Sequence, residues 1–361
     1  MRAARIAFAT GLSCALALAG DMPPEKDPYS NHSKLLVYID EQQIEHPVKT
    51  PDDWARRRAD IVLGMQRAMG QLPSRGSLPP LDVNVTETSQ EDGLTRLKLT
   101  FVAEQNDRVP AWLFVPARAA GGRSPAMLAL HQTTKIGKDE PAGRGPMNNL
   151  HYGLELAQRG YIVLIPDYPS FGEYEYDFKA SGRASGTIKG IFNHMRCVDL
   201  LQTREEVDPE RIGVIGHSLG GHNAMFVAAF DERLKVVVSS CGWTPFHDYY
   251  EGKIAGWTSD RYMPRLRDVY DLDPNRVPFD FYEVVASFAP RAFFSNSPLH
   301  DANFEVAGVK KAAAAVKEVF EMFGADDALV IRYPDCEHDF PPEIRQEAYQ
   351  FVDRALRAKT P

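Results

Sequence analysis

The 361-residue chain reads as an α/β protein. The expected architecture is a mostly parallel sheet of about eight or nine strands with helices on both faces, an N-terminal helical extension and a cap-like insertion. Three observations predict this. Six short, nearly unbroken apolar runs alternate with segments of helical period, the pattern of a parallel sheet buried on both faces. Three β segments with partial alternation precede them. One strand-to-helix junction carries Gly-x-Ser-x-Gly. Composition agrees: 44% of residues are hydrophobic and 25% charged, which excludes a disordered chain or a small disulfide scaffold. With 41 Lys and Arg against 49 Asp and Glu, the chain is acidic and a poor partner for nucleic acid.

The elements follow in order. Arg2 and Arg5 precede an uncharged run, 6–20, that ends in Ala17-Leu18-Ala19. This reads as a signal peptide over 1–19 and predicts a secreted or periplasmic protein. Cys14 opens a lipoprotein alternative, but it is preceded by Gly11-Leu12-Ser13, with Leu in the wrong place for that signal. No later apolar stretch is long enough to span a membrane. Residues 20–78 form an extension. Its first part, 22–50, is polar and predicted to lie extended over the domain. Thr50-Pro51-Asp52-Asp53 then caps a helix with Trp54, Ile61, Met65 and Met69 on one face, ended by Gly70 and Pro73.

The main domain is predicted over 79–361. Strands at 81–87 and 94–103 flank the turn Glu91-Asp92-Gly93, and a third lies at 109–115. Apolar runs at 126–131, 161–166, 211–215, 235–239, 291–295 and 329–333 then alternate with helical patterns at 147–159, 186–206, 219–230, 304–324 and 341–358. Residues 243–289 interrupt the rhythm with a stretch rich in aromatics. They read either as a cap walling a binding site, with Trp243 and Trp257 as candidate pocket residues beside Tyr168, or as a small core of their own. After the leader, Cys197, Cys241 and Cys336 remain. A Cys241–Cys336 bridge and simple burial both fit. No spacing resembles a zinc site.

Gly216-His217-Ser218-Leu219-Gly220 sits between an apolar strand and a helix. A sharp turn of this kind exposes a serine hydroxyl and needs neighbours without side chains. A serine nucleophile needs a base. His338 lies after the strand at 329–333, and Asp301 after the strand at 291–295, so both fall beyond the carboxyl ends of parallel strands. Asp335 and Asp339 also flank His338 and are the alternative carboxylates. Oxyanion donors are expected from the N–H of Leu219 and from Gln132 or Thr133, after the strand at 126–131; the Thr133 hydroxyl is a further option.

These residues resemble the α/β-hydrolase superfamily over about 80–358: the strand order, the Gly-His-Ser-Leu-Gly-Gly elbow, and the order Ser218, Asp301, His338. Within it the chain is similar to the secreted dienelactone-hydrolase-like and acetyl xylan esterase-like branch. The features are Trp54-Ala55-Arg56-Arg57-Arg58, Asp167-Tyr168-Pro169-Ser170-Phe171-Gly172 and Pro298-Leu299-His300-Asp301. The resemblance implies hydrolysis of esters, often acyl groups on plant polysaccharides. His131-Gln132 departs from the His-Gly of many relatives. The expected activity is that of a serine esterase acting on a small-molecule or saccharide ester through an acyl-enzyme, with no metal or organic cofactor. Alternatives are a serine peptidase of prolyl oligopeptidase type, although 361 residues leave no room for the usual propeller, a glucuronoyl-type esterase, or a silent binding protein. Arg144, Arg183 and Arg265 are candidates for holding a substrate carboxylate.

Overall fold

The computed structural model describes residues 28–357, apart from 30 and 118–121. The leader expected at 1–19, with Cys14, lies outside the described residues. The first described segment differs from the expectation of a plain extended strap. β1 (Val37–Ile39) and β2 (Glu45–Pro47) pair antiparallel as a small hairpin. α1 (Pro51–Met69) begins with the expected capping box: Asp53 N–H donates to Thr50 Oγ1 at 3.1 Å, and Thr50 N–H donates to Asp53 Oδ2 at 3.1 Å. Trp54, Ile61, Met65 and Met69 are all buried. So is Arg57, which pairs with the buried Glu283 and ties the helix to the main body.

The central sheet has nine strands. β3 (Asn84–Glu91), β4 (Leu94–Glu104) and β5 (Asp107–Pro116) form an antiparallel meander at one edge. Then come β6 (Ser124–Leu130), α2 (Tyr152–Gln158), β7 (Ile162–Pro166), α3 (Gly186–Thr203), β8 (Val207–His217), α4 (Leu219–Phe230) and β9 (Leu234–Ser240). The chain ends with two short helices, α5 (Arg265–Asp268) and α6 (Phe281–Ala286), then β10 (Ala292–Asn296), α7 (Val306–Met322), β11 (Leu329–Arg332) and α8 (Pro342–Arg357). The strand order is β11-β10-β9-β8-β6-β7-β5-β4-β3. β6 to β11 are parallel, and β5 joins β7 antiparallel.

Two apolar layers cover the sheet, sorted by strand alternation. Leu128 and Val237 point into the layer under α1, α3, α4 and α7, whereas Met127, Ala129, Val236 and Val238 point into the layer under α2 and α8. The helical pattern at 147–159 splits, because a 3₁₀ turn (Asn148–Leu150) precedes α2. The aromatics of 243–289 do not form a core of their own. Trp243, Phe246, Trp257, Phe279 and Phe281 join the large layer. Among the described residues, no helix is long and apolar enough to cross a membrane.

Candidate active site

β8 delivers its last residue, His217, to the carboxyl end of the sheet, and α4 starts two residues later. Ser218 makes the turn at φ 53°, ψ −119°, a left-handed conformation rarely adopted by residues with side chains. The turn closes only because its flanks are glycines. A Cβ on Gly216 would lie 2.2 Å from Gly220 backbone atoms, and one on Gly220 would lie 1.9 Å from Leu130 O. Ser218 N–H donates to Ser240 O at 2.8 Å, which fixes the elbow to the end of β9.

His338 sits on the loop between β11 and α8. Its Nδ1 lies 2.9 Å from each oxygen of Asp301, on the loop after β10. A carboxylate only accepts, so Nδ1 carries the proton and Nε2 presents a lone pair. Asp301 is held in turn by the N–H groups of Asn303 and Phe304, at 2.8 and 3.2 Å. The His338 ring stacks on Phe304 and meets His217 edge-on, with centroids 6.0 and 4.9 Å apart. The two loops are laced by Leu299 N–H to Pro334 O and His300 N–H to Cys336 O. The flanking acids are engaged elsewhere: Asp335 pairs with His300 at 2.7 Å, and Asp339 accepts from Asn149 at 2.6 Å.

Ser218 opens into a cavity of about 150 Å³. Leu219, Thr133, Trp257 and Phe304 line it, together with His222 and Tyr262. Among the described residues that line it, none is an acid, Lys or Arg. Burial pushes His222 down to about 3, so its ring is neutral. Both His222 nitrogens and Trp257 Nε1 lack a hydrogen-bond partner among the described residues. Thr133 Oγ1 meets Tyr262 OH at 3.0 Å, whereas the Gln132 side chain turns away to Glu140 at 3.2 Å.

Several residues anticipated for the pocket stand elsewhere. Tyr168 is buried and donates to Arg261 O at 2.6 Å; Trp243 is buried and donates to Ser295 Oγ at 2.9 Å. Both rings are drawn into the core because burial satisfies their apolar bodies and a partner satisfies the polar tip. Trp257 alone of the three lines the cavity. Arg144 lies over Trp112, Arg183 pairs with Glu104, and Arg265 Nε donates to Arg67 O, so none of them reaches it. Cys197, Cys241 and Cys336 are free thiols, so no Cys241–Cys336 bridge forms.

Two positioning residues escaped the sequence reading. His131 is buried and neutral, its ring pushed toward the uncharged form chiefly by desolvation. Its Nδ1–H donates to Gln132 O at 2.6 Å, and its Nε2 accepts from Tyr168 N–H at 2.9 Å, which clamps the loop after β6 to the loop after β7. Asn296 Nδ2 donates to Asp339 O and to Ser240 Oγ, each at 2.8 Å, so β10 holds the His338 loop against the end of β9. The position of His131 at the end of an apolar run was the available signal for the first.

The profile of the prolyl oligopeptidase family matches residues 150–358, more than half of the chain. The chain belongs to the prolyl oligopeptidase family. This member of the prolyl oligopeptidase family is a hydrolase of α/β-hydrolase fold. It is 27% identical over 310 residues to YtaP of Bacillus subtilis (strain 168), named as a hydrolase; 83% of this chain and 100% of that one are covered. It superposes on the glucuronoyl esterase from Solibacter usitatus with a TM-score of 0.67 at 19% identity, covering 90% of this chain and 97% of that one. It superposes on the acetyl xylan esterase from Paenibacillus sp. R4 with a TM-score of 0.54 at 18% identity, covering 82% and 92%. At such identities the likeness to solved structures concerns the fold.

Proposed function

We propose that the chain is an exported serine esterase that hydrolyses carboxylic esters of carbohydrates bearing a short acyl group. The observation that carries this reading is the Asp301–His338 pair, at 2.9 Å, with the His338 ring 4.9 Å from that of His217, the residue before a serine held at φ 53° on a strand-to-helix elbow. Ser218 Oγ attacks the ester carbonyl while His338 Nε2 takes its proton. Asp301 holds the imidazole with Nδ1 protonated and stabilises its charge. The N–H of Leu219 at the start of α4, with an N–H from Gln132 or Thr133, receives the oxyanion, each donor being worth roughly 3–4 kcal/mol. The alcohol leaves with the proton from His338, and water then hydrolyses the acyl-enzyme by the same path in reverse.

The walls of the cavity favour an ester over a peptide terminus. Among the described residues, no charged side chain lines it, so a charged chain end would be desolvated there without a partner. Trp257 and Tyr262 offer aromatic faces to a sugar ring. The uncharged run after Arg2 and Arg5 supports export. The names of the glucuronoyl and acetyl xylan esterases that share the fold agree with a carbohydrate ester.

The test is hydrolysis of p-nitrophenyl acetate, butyrate and octanoate by the protein and its Ser218→Ala variant. A cavity of about 150 Å³ leaves little room for a long acyl chain. Acetate and butyrate are therefore expected to turn over and octanoate poorly, with all activity lost in the variant. Hydrolysis that survives in Ser218→Ala would sink the proposal.

A further inference from the structure

The end of β9 brings a thiol against the acid–base pair. Cys241 follows Ser240 at φ 49°, a left-handed conformation that disfavours any residue with a side chain. Its Sγ donates to Asp339 O at 3.4 Å, directly under the base loop. One donor atom each from Cys241, Asp301 and His338 lies within 4.8 Å of the other two. A thiolate, a carboxylate and an imidazole with one position left open form a donor set for tetrahedral zinc. Hard cations such as Mg²⁺ and Ca²⁺ prefer oxygen ligands throughout. We propose that Cys241, Asp301 and His338 form an inhibitory site for a thiophilic divalent cation of the Zn²⁺ type.

The geometry dictates how such a cation would act. Nδ1 is the His338 atom that faces Asp301, so a cation shared by the two side chains sits on the Nδ1 lone pair. A neutral imidazole bound through Nδ1 carries its proton on Nε2. The ring then has no lone pair with which to take the Ser218 proton. Burial pushes the Cys241 thiol well above its ordinary value, so the metal-free protein holds it as S–H. Coordination forms the metal–sulfur bond and releases that proton to solvent. His338 is 22% exposed, which leaves an entry path from the active-site mouth. Inhibition therefore works through the tautomer of the base and needs no blocking of the acyl cavity. The inhibitory effect rests on the proposed role of His338; the binding does not.

Two readouts separate these. In the Ser218→Ala chain, Co²⁺ used in place of Zn²⁺ is expected to give a near-ultraviolet thiolate-to-metal band. The band should disappear on excess Zn²⁺ and be missing when Cys241→Ser is added. In the parent chain, Zn²⁺ is expected to inhibit p-nitrophenyl acetate hydrolysis, reversibly on adding EDTA, while Mg²⁺ does not. Cys241→Ser should raise the inhibitory Zn²⁺ concentration by about tenfold or more, on the scale of a disturbed ligand shell. Cys241→Ala serves if the serine variant does not fold. No Co²⁺–thiolate band, or equal Zn²⁺ inhibition with and without Cys241, overturns the site. A band without inhibition overturns the inhibitory role. If the chain hydrolyses no p-nitrophenyl ester, the esterase reading fails and the Co²⁺ readout still decides the binding.

Discussion

Replacing Gly220 with Ala sets two effects against each other, and the structure shows which one wins. Gly220 is the second residue of α4. At an open helical position, Gly→Ala stabilises by about 0.5–1 kcal/mol. Here the new Cβ would stand 1.9 Å from Leu130 O, 2.6 Å from Leu130 C and 2.9 Å from His131 O. Even a tight contact of 3.0 Å requires the two backbones to part by about 1.1 Å. Neither can yield alone. Leu130 closes β6, which is paired with β8 on one side and β7 on the other, and α4 is packed between strands and α3. Overpacking of this kind costs about 1–3 kcal/mol, more than the helix gains. The displacement falls between Ser218 and the loop carrying Gln132 and Thr133, and about 1 Å of misplacement at a reacting centre costs roughly 100-fold in rate, close to 3 kcal/mol. Gly220→Ala is therefore expected to melt lower and to lose about 100-fold in kcat/KM on p-nitrophenyl acetate. It should still be folded by circular dichroism. A variant with parental kcat/KM and an equal or higher melting temperature would refute the idea that this glycine sets the gap between the elbow and the loop of Gln132 and Thr133.

Two further expectations follow from the carboxylates. Asp301→Asn loses the acceptor that holds His338 Nδ1–H and should lower kcat by up to about 10⁴-fold, whereas Asp335→Asn, whose exposed partner is His300, should leave kcat within about twofold; steady-state kinetics on p-nitrophenyl acetate distinguishes them, and equal losses would move the orienting role away from Asp301. Asp280 caps α6 in a fully buried site, and loss of solvation pushes its carboxyl up to about 7, against the N–H groups of Phe246 and Phe281 that pull it down. The folded form thus keeps a proton that the unfolded chain releases near pH 4, so stability falls as pH rises from about 4 to about 7 and is flat above, each unit being worth about 1.4 kcal/mol. Asp280→Asn should flatten the decline in melting temperature between about pH 5 and pH 7, and parallel slopes in the two proteins would exclude Asp280 as its source.

The sequence alone determined the scaffold and nominated Ser218, His338 and Asp301 as its candidate site. A strand buried on both faces must be apolar throughout, and a helix covering it must be apolar every third or fourth residue, so β6 to β11 and their helices announced themselves locally. The elbow was equally legible, because only glycine fits two residues to either side of Ser218, at Gly216 and Gly220. Asp301 and His338 could be placed at strand ends, but three acids competed for the imidazole. Only the tertiary structure assigned Asp301 to His338, by giving Asp335 to His300 and Asp339 to Asn149. It also decided which aromatics face the cavity. Tyr168, Trp243 and Trp257 carry similar local signals, yet only Trp257 lines it. The juxtaposition of Cys241 with Asp301 and His338 was invisible for the same reason. Those residues come from the ends of different strands, and their approach is set by strand order and register in the sheet, not by any spacing along the chain.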